Sequence, residues 1–204
     1  MPFDEKRAYF DKLAREWDSI PRPPDAPARI ARFCQRGLPR AAEWILDVGS
    51  GTGLLAPHLL KNAPGSVHLV EADYSLEMLR QSRLKNEDPR IARVCADALR
   101  LPLPSGRFDA VLCFGILPHL GDPGESLPEL WRLLRPSGVL TVGHLMGSTS
   151  LNELHRDIGG VVADDHLPPA DHLARLLRDL GAASVDAEDS SEGYFVRAKK
   201  GPTR

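Results

Sequence analysis

The stretch Ile45–Gly53, ILDVGSGTG, decides how this chain folds. An apolar run carries an acid, Asp47, and glycines then follow at every second position: Gly49, Gly51 and Gly53. The pattern reads as a buried strand turning sharply into a helix. Glycine has no Cβ, so such a turn can take positive φ and let a bound molecule touch the main chain. In open α/β sheets, ligands sit beyond the carboxyl ends of the strands, where these turns present backbone N–H groups. A tight connection needs no ligand, so the flanking sequence has to decide what the turn is for.

Downstream, strand-like runs alternate with helical ones: WILDV, LLAPHLLKN, VHLVEA, SLEMLRQSRLKN, IARVCAD, FDAVLCFG, SLPELWRLLR and GVLTVGHLM. This alternation predicts an α/β fold, a Rossmann-like doubly wound and mostly parallel sheet with helices on both faces. VLCFGIL is apolar without alternation, as a central strand should be. Upstream, Phe10, Leu13, Ala14 and Trp17 mark an amphipathic helix over residues 4–18, which SIPRPPDAP then breaks. A second helix is expected from Pro27 to Gly37. Towards the C-terminus, ADHLARLLRDLG predicts a helix closed by Gly181, and ASVDAED and GYFVRAKK predict an antiparallel hairpin.

The least regular segment, Gly147–Pro169, reads as an insertion over the carboxyl edge of the sheet. The expected organisation is one domain over 1–204: N-terminal helices in 1–42, a ligand-binding core in 43–146, an insertion or lid in 147–169, and a helix and hairpin in 170–204.

The chain has 204 residues, 42% of them hydrophobic and 26% charged, with a formal net charge of −2. That balance leaves no electrostatic footprint for nucleic acid or an anionic membrane. The basic end, with Arg197, Lys199, Lys200 and Arg204, reads as a solvated tail. Three scattered cysteines suggest neither a disulfide framework nor a cysteine zinc site, and so a reducing compartment. MPFDEKRAYFDKLAREWD is no signal peptide, and no run approaches the roughly 20 apolar residues of a membrane span. The expectation is a cytoplasmic protein.

Leu54 stands where a dinucleotide fingerprint would have its last glycine, and no Gly-Lys-Ser/Thr follows, so a ligand without phosphates is better supported. Glu71 and Asp73 end the second strand, close to the position of the ribose-binding acid in nucleotide-binding βαβ units. Asp97 ends the third, where it can accept from an adenine amino group. Three acids at two successive strand ends point to a nucleoside-bearing ligand.

LDVGSGTG, EADYSLEML, CADALRLPLPSGRFDAVLC and PELWRLLRPSGVL together resemble the signature regions of class I S-adenosylmethionine-dependent methyltransferases, of the small-molecule type. The resemblance covers about residues 43–145 and implies a seven-stranded sheet with an antiparallel last strand. It implies S-adenosyl-L-methionine as cofactor and a small-molecule acceptor as partner. Asp47, Gly49, Ser50, Gly51 and Gly53 would form the loop around the methionine moiety. Asp73 would hold the ribose, with Glu71 as runner-up, and Asp97 and Ala98 would contact adenine. Phe114 and Gly115 would lie beside the methyl group, and His119 matches a position that is often histidine in this subgroup. Departures are visible. RPSG replaces the usual Pro-Gly-Gly, no Asn-Pro-Pro-Tyr-like motif follows the fourth strand, and Cys113 lacks the context of a nucleophile and reads as core.

An acceptor that arrives protonated needs a base, and His119 and His144 both fall just beyond strand ends. The insertion adds His155 and His166, with Asp164 and Asp165. A substrate-pocket lid is the preferred reading, a metal site the sharper alternative, and no metal is assigned. Tyr9, Phe10 and Trp17 are candidates to cap the pocket. Two further readings are a nicotinamide-dependent oxidoreductase, which would want glycine at 54, and a non-catalytic methyltransferase-like adaptor, which would not need the loop and its acids.

Overall fold

β1 (Trp44–Val48) is the strand of the opening motif. In the computed structural model of the protein, which describes residues 2–61, 63 and 65–202, it sits near the middle of the sheet. Arg204 lies outside the described residues. Around β1 are β2 (His68–Asp73), β3 (Ile91–Cys95), β4 (Phe108–Phe114), β5 (Leu134–His144), β6 (Ala182–Ser190) and β7 (Gly193–Lys200). Their order is β3-β2-β1-β4-β5-β7-β6. β1 to β5 pair in parallel, and β7 runs antiparallel to both β5 and β6. The expected seven strands and reversed last strand are both present. The order reverses between β1 and β4, the switch point where open α/β sheets place ligands.

Both faces are buried, as an apolar β1 requires. Ile45 and Leu112 face a core with Ile30, Phe33 and Leu59, while Leu46 and Val111 face one with Leu130, Leu140 and Leu173. Cys113 is fully buried in this second core. The flanking helices are α2 (Ala26–Gly37), α3 (Ala56–Lys61), α4 (Leu76–Lys85), α5 (Pro123–Leu133) and α7 (Ala170–Asp179). Ser75 caps α4 by accepting from Met78 N, and Gly181 ends α7 at φ +88°.

Three expectations need correction. Arg197, Lys199 and Lys200 do not form a solvated tail: they lie in β7, and Lys200 Nζ donates to Trp131 O at 2.7 Å and Leu134 O at 3.0 Å. α1 (Pro2–Leu13) stops short of Trp17, which sits in a separate 3-10 turn, Trp17–Ser19. The segment 147–169 is far from irregular: α6 (Ser148–Ile158) and a 3-10 turn, Gly160–Val162, fill most of it. A small core of Phe10, Ala14, Met78 and Val162 locks α1 and that turn against α4, so both segments cover the carboxyl edge of the sheet.

The RPSG turn at the start of β5 shows the physical cost of its departure from the family pattern. Ser137 sits at φ +64°, a region that costs a residue with a side chain roughly 1–2 kcal/mol. Ser137→Gly should therefore raise stability by about 0.5–1 kcal/mol after glycine's own entropy loss, and Tm by about 2 °C. Thermal unfolding checks this, and a lowered Tm would contradict it.

Candidate active site

The loop after β1 is pinned from below. Gly49 N and Ser50 N both donate to Ala72 O of β2, at 2.8 and 3.2 Å. Gly51 N donates to Asp73 Oδ2, and Asp73 Oδ1 accepts from Ser75 N, each at 2.8 Å. Asp73 thus ties the glycine loop to the cap of α4. The conformation admits no side chain: at φ +64° a Cβ on Gly49 would fall 2.3 Å from Ile116, and at φ +78° one on Gly53 would fall 2.6 Å from Ser82 Oγ.

Burial pushes the Asp73 carboxyl up to about 6; the N–H groups of Ser75 and Gly51 pull it down, and Asp11 adds to the rise. Each of its oxygens keeps a second lone pair for a ligand hydroxyl. Asp47 is more deeply buried, and its Oδ2 has no hydrogen-bond partner among the described residues. Burial above all, then the charges of Glu71 and Asp73, hold its carboxyl well above the usual range. An orphaned carboxylate oxygen on the wall of a cavity is matched by a ligand cation. The Ser50 hydroxyl is likewise buried without a partner.

Asp97 and Ala98 lie with Asp73 on a side slot behind Ile116, and Asp97 Oδ1 accepts from Leu99 N at 2.9 Å. Phe114 and Gly115 border the main cavity. The structure brings Asp47, Gly49, Ser50, Gly51, Asp73, Phe114, Gly115, His119 and His144 to that one cavity, with Asp97 and Ala98 on the adjoining slot. Gly53 serves the loop from behind.

Glu71 does not join them. It lies on the same face of β2 as Asp73 but two residues deeper, beneath Gly53. There it pairs with Arg93 Nε at 2.9 Å and accepts from Ser82 Oγ at 2.5 Å. Burial still raises its carboxyl above the usual value. Glu71 is a buried structural ion pair behind the loop.

The cavity measures about 360 Å³. Tyr9, Phe10, Leu13 and Trp17 cover one side and Met146 and Leu151 the other. The aromatic cover is itself packed, with Phe10 edge-on to Trp17 at 5.7 Å between centroids. Capping and packing are here the same contacts.

The two candidate bases separate by tautomer. His119 Nδ1 lies 2.5 Å from Asp165 Oδ2; a carboxylate only accepts, so Nδ1 carries the proton and Nε2 keeps its lone pair. Asp165 also pairs with Lys6 of α1, and its carbonyl meets His155 Nδ1 at 2.9 Å. In His144, Nδ1 accepts from Met146 N at 2.9 Å, so the neutral ring bears its proton on Nε2 and acts as a donor. Burial lowers the His119 imidazole despite the opposing pull of Asp165, and it lowers His144 further, to about 4. His155 has the tautomer of His119 but leans on a carbonyl, which cannot neutralise an imidazolium as a carboxylate can. Asp164 and His166 are exposed. Among the described residues no group of three or more His, Cys, Asp or Glu is placed to hold a metal ion.

Asp165 as the partner of His119, and Lys6 behind it, are the contacts of the candidate base that sequence reasoning missed. The pair is 46 positions apart and no motif links them. Ile116, which closes over Gly49, was equally invisible.

Residues 46–142 match a family described as a methyltransferase domain. The demethylmenaquinone methyltransferase of Thermus thermophilus is 41% identical over 114 residues, covering 54% of this chain and 51% of that protein. The malonyl-[acyl-carrier protein] O-methyltransferase of Laribacter hongkongensis is 34% identical over 196 residues, covering 89% of this chain and 62% of that protein. The chain thus spans about half to three-fifths of the length of these curated relatives. In fold it is similar to a SAM-dependent methyltransferase from Aquifex aeolicus, with a TM-score of 0.68 at 20% identity over 93% of this chain and 97% of that one. Among the described residues no helix is long and apolar enough to cross a membrane.

Proposed function

We propose that this chain, whose residues 46–142 match a methyltransferase domain, uses S-adenosylmethionine to move a methyl group to a small, largely apolar acceptor that gives up a proton. The observation that carries this reading is the joining of two things in one cavity: the glycine loop with Asp47 and Asp73, and the unoccupied Nε2 lone pair of His119. The residues fit the cofactor. The orphaned Asp47 Oδ2 suits its ammonium group, the free lone pairs of Asp73 suit ribose hydroxyls, and Asp97 suits the adenine amino group. When bound, the sulfonium supplies a methyl group already activated for in-line displacement.

What remains for the protein is alignment, exclusion of water and removal of one proton. The apolar cover from α1 and α6 excludes water. His119 Nε2 takes the proton, and Asp165 compensates the imidazolium that forms. His144 donates from Nε2 and helps to orient the acceptor. Arg22 lies on the cavity wall, where its Nη2 donates to Trp17 O at 3.3 Å and stands 3.9 Å from Asp18.

Calorimetric titration with S-adenosylmethionine, S-adenosylhomocysteine and NAD in parallel tests the reading. Binding of the two sulfur compounds without NAD is expected. Preference for NAD would overturn it in favour of an oxidoreductase.

A further inference from the structure

Five large hydrophobic side chains stand exposed among the described residues: Ile20, Leu76, Leu84, Leu154 and Ile158. Three of them, Ile20 at 43%, Leu154 at 40% and Ile158 at 52%, also line the main cavity. Exposed apolar residues scattered singly are ordinary, but a group gathered at the mouth of a ligand cavity marks a contact surface. Leu154 and Ile158 are one turn apart on α6, on the face that also points Leu151 and His155 inward. Ile20 comes from the other wall, just beyond the 3-10 turn that holds Trp17. The apolar lining therefore runs unbroken from the cover over the cavity to the solvent-facing rim.

Volume decides what the rim is for. A cavity of about 360 Å³ is near the lower end for a single drug-sized ligand, and this one has to hold the donor's methionine end as well as the acceptor. Only the reacting end of an acceptor fits inside, and the remainder has to leave through the mouth. There it meets the apolar rim, with the guanidinium of Arg22 to one side, its Nη2 on Trp17 O and 3.9 Å from Asp18.

We propose that Ile20, Leu154 and Ile158 form a subsite for an apolar chain carried by the acceptor, which threads out of the mouth while its head group lies at His119. This rests on the methyl-transfer reading for the head group, but the rim itself is tested separately.

The experiment is calorimetric titration with 4-methylphenol, 4-butylphenol and 4-octylphenol, with the protein saturated in S-adenosylhomocysteine and again without nucleotide. Affinity should rise about tenfold from butyl to octyl, less than the roughly fourfold per methylene that full burial gives. Ile158→Glu and Leu154→Glu should flatten that rise, with thermal unfolding confirming that both variants are folded. A length dependence that persists without nucleotide keeps the subsite even if S-adenosylhomocysteine fails to bind, in which case only the methyl-transfer reading falls. Affinity independent of chain length, or a dependence untouched by both variants, overturns the proposal. So does flotation of the protein with phosphatidylcholine vesicles, lost in Ile158→Glu, if it appears without chain-length dependence. The rim would then face a lipid surface.

Discussion

Asp73→Ala is expected to lower affinity for S-adenosylmethionine by about 10²- to 10⁴-fold, because hydrogen bonds to a charged group contribute roughly 1.5–3 kcal/mol each and two ribose hydroxyls would lose theirs. The loss has a second source. Asp73 holds Gly51 N and Ser75 N, so its removal also frees the loop that Gly49 and Ser50 pin to Ala72. Asp73→Asn, which keeps one acceptor oxygen, should fall between the two. The pH dependence follows from the raised carboxyl. Below about 6 Asp73 takes up a proton, one acceptor position becomes a donor, and affinity declines as pH falls through that value. Calorimetry on either side of pH 6 checks both statements. An alanine variant that binds as tightly as the parent would mean that the ribose is held elsewhere.

His119→Ala should reduce turnover by about 10²- to 10⁴-fold, the usual worth of a positioned general base, while leaving affinity for S-adenosylhomocysteine nearly intact. The acid limb of the pH–rate profile should lie below the usual histidine value of 6.5, since burial lowers the imidazole and only its neutral form can accept a proton. Asp165 opposes that shift. Asp165→Asn should therefore move the limb to still lower pH and reduce the plateau as well, because the tautomer is no longer enforced. The charged and titratable groups around the ring include Asp165, His155, His144 and Lys6, and Lys6→Met separates the effect of α1 from that of the carboxylate. A limb that stays in place in Asp165→Asn would remove Asp165 from the proton's path.

The parts of this site written in short segments were legible in the sequence. Gly49, Gly51 and Gly53 announce a turn with positive φ, and all three have it. Asp73 closes β2 and Asp97 follows the end of β3 by two residues, both placed by strands that could be read from their own runs of sequence. Glu71 shows the limit of this reading. Strand periodicity puts it on the same face as Asp73, and only depth below the loop, a tertiary quantity, removes it from the cavity. The helix in 147–169 was hidden by Gly147 and the Gly159–Gly160 pair, which punctuate Leu151, Leu154, His155 and Ile158 although their spacing is helical. Tautomers were beyond reach, because they depend on Met146 N for His144 and on Asp165 for His119.

The wall of the cavity is drawn from separate stretches of chain. Groups suited to the donor lie between Asp47 and Gly115, whereas the apolar cover comes from Tyr9–Pro23 and from Leu145–Val162. On the proposed reading, donor binding and acceptor choice therefore fall on different segments of the chain. A chimera that places residues 2–23 and 145–167 of this chain on a methyltransferase of the same sheet order should acquire this chain's acceptor and keep its own hold on the donor.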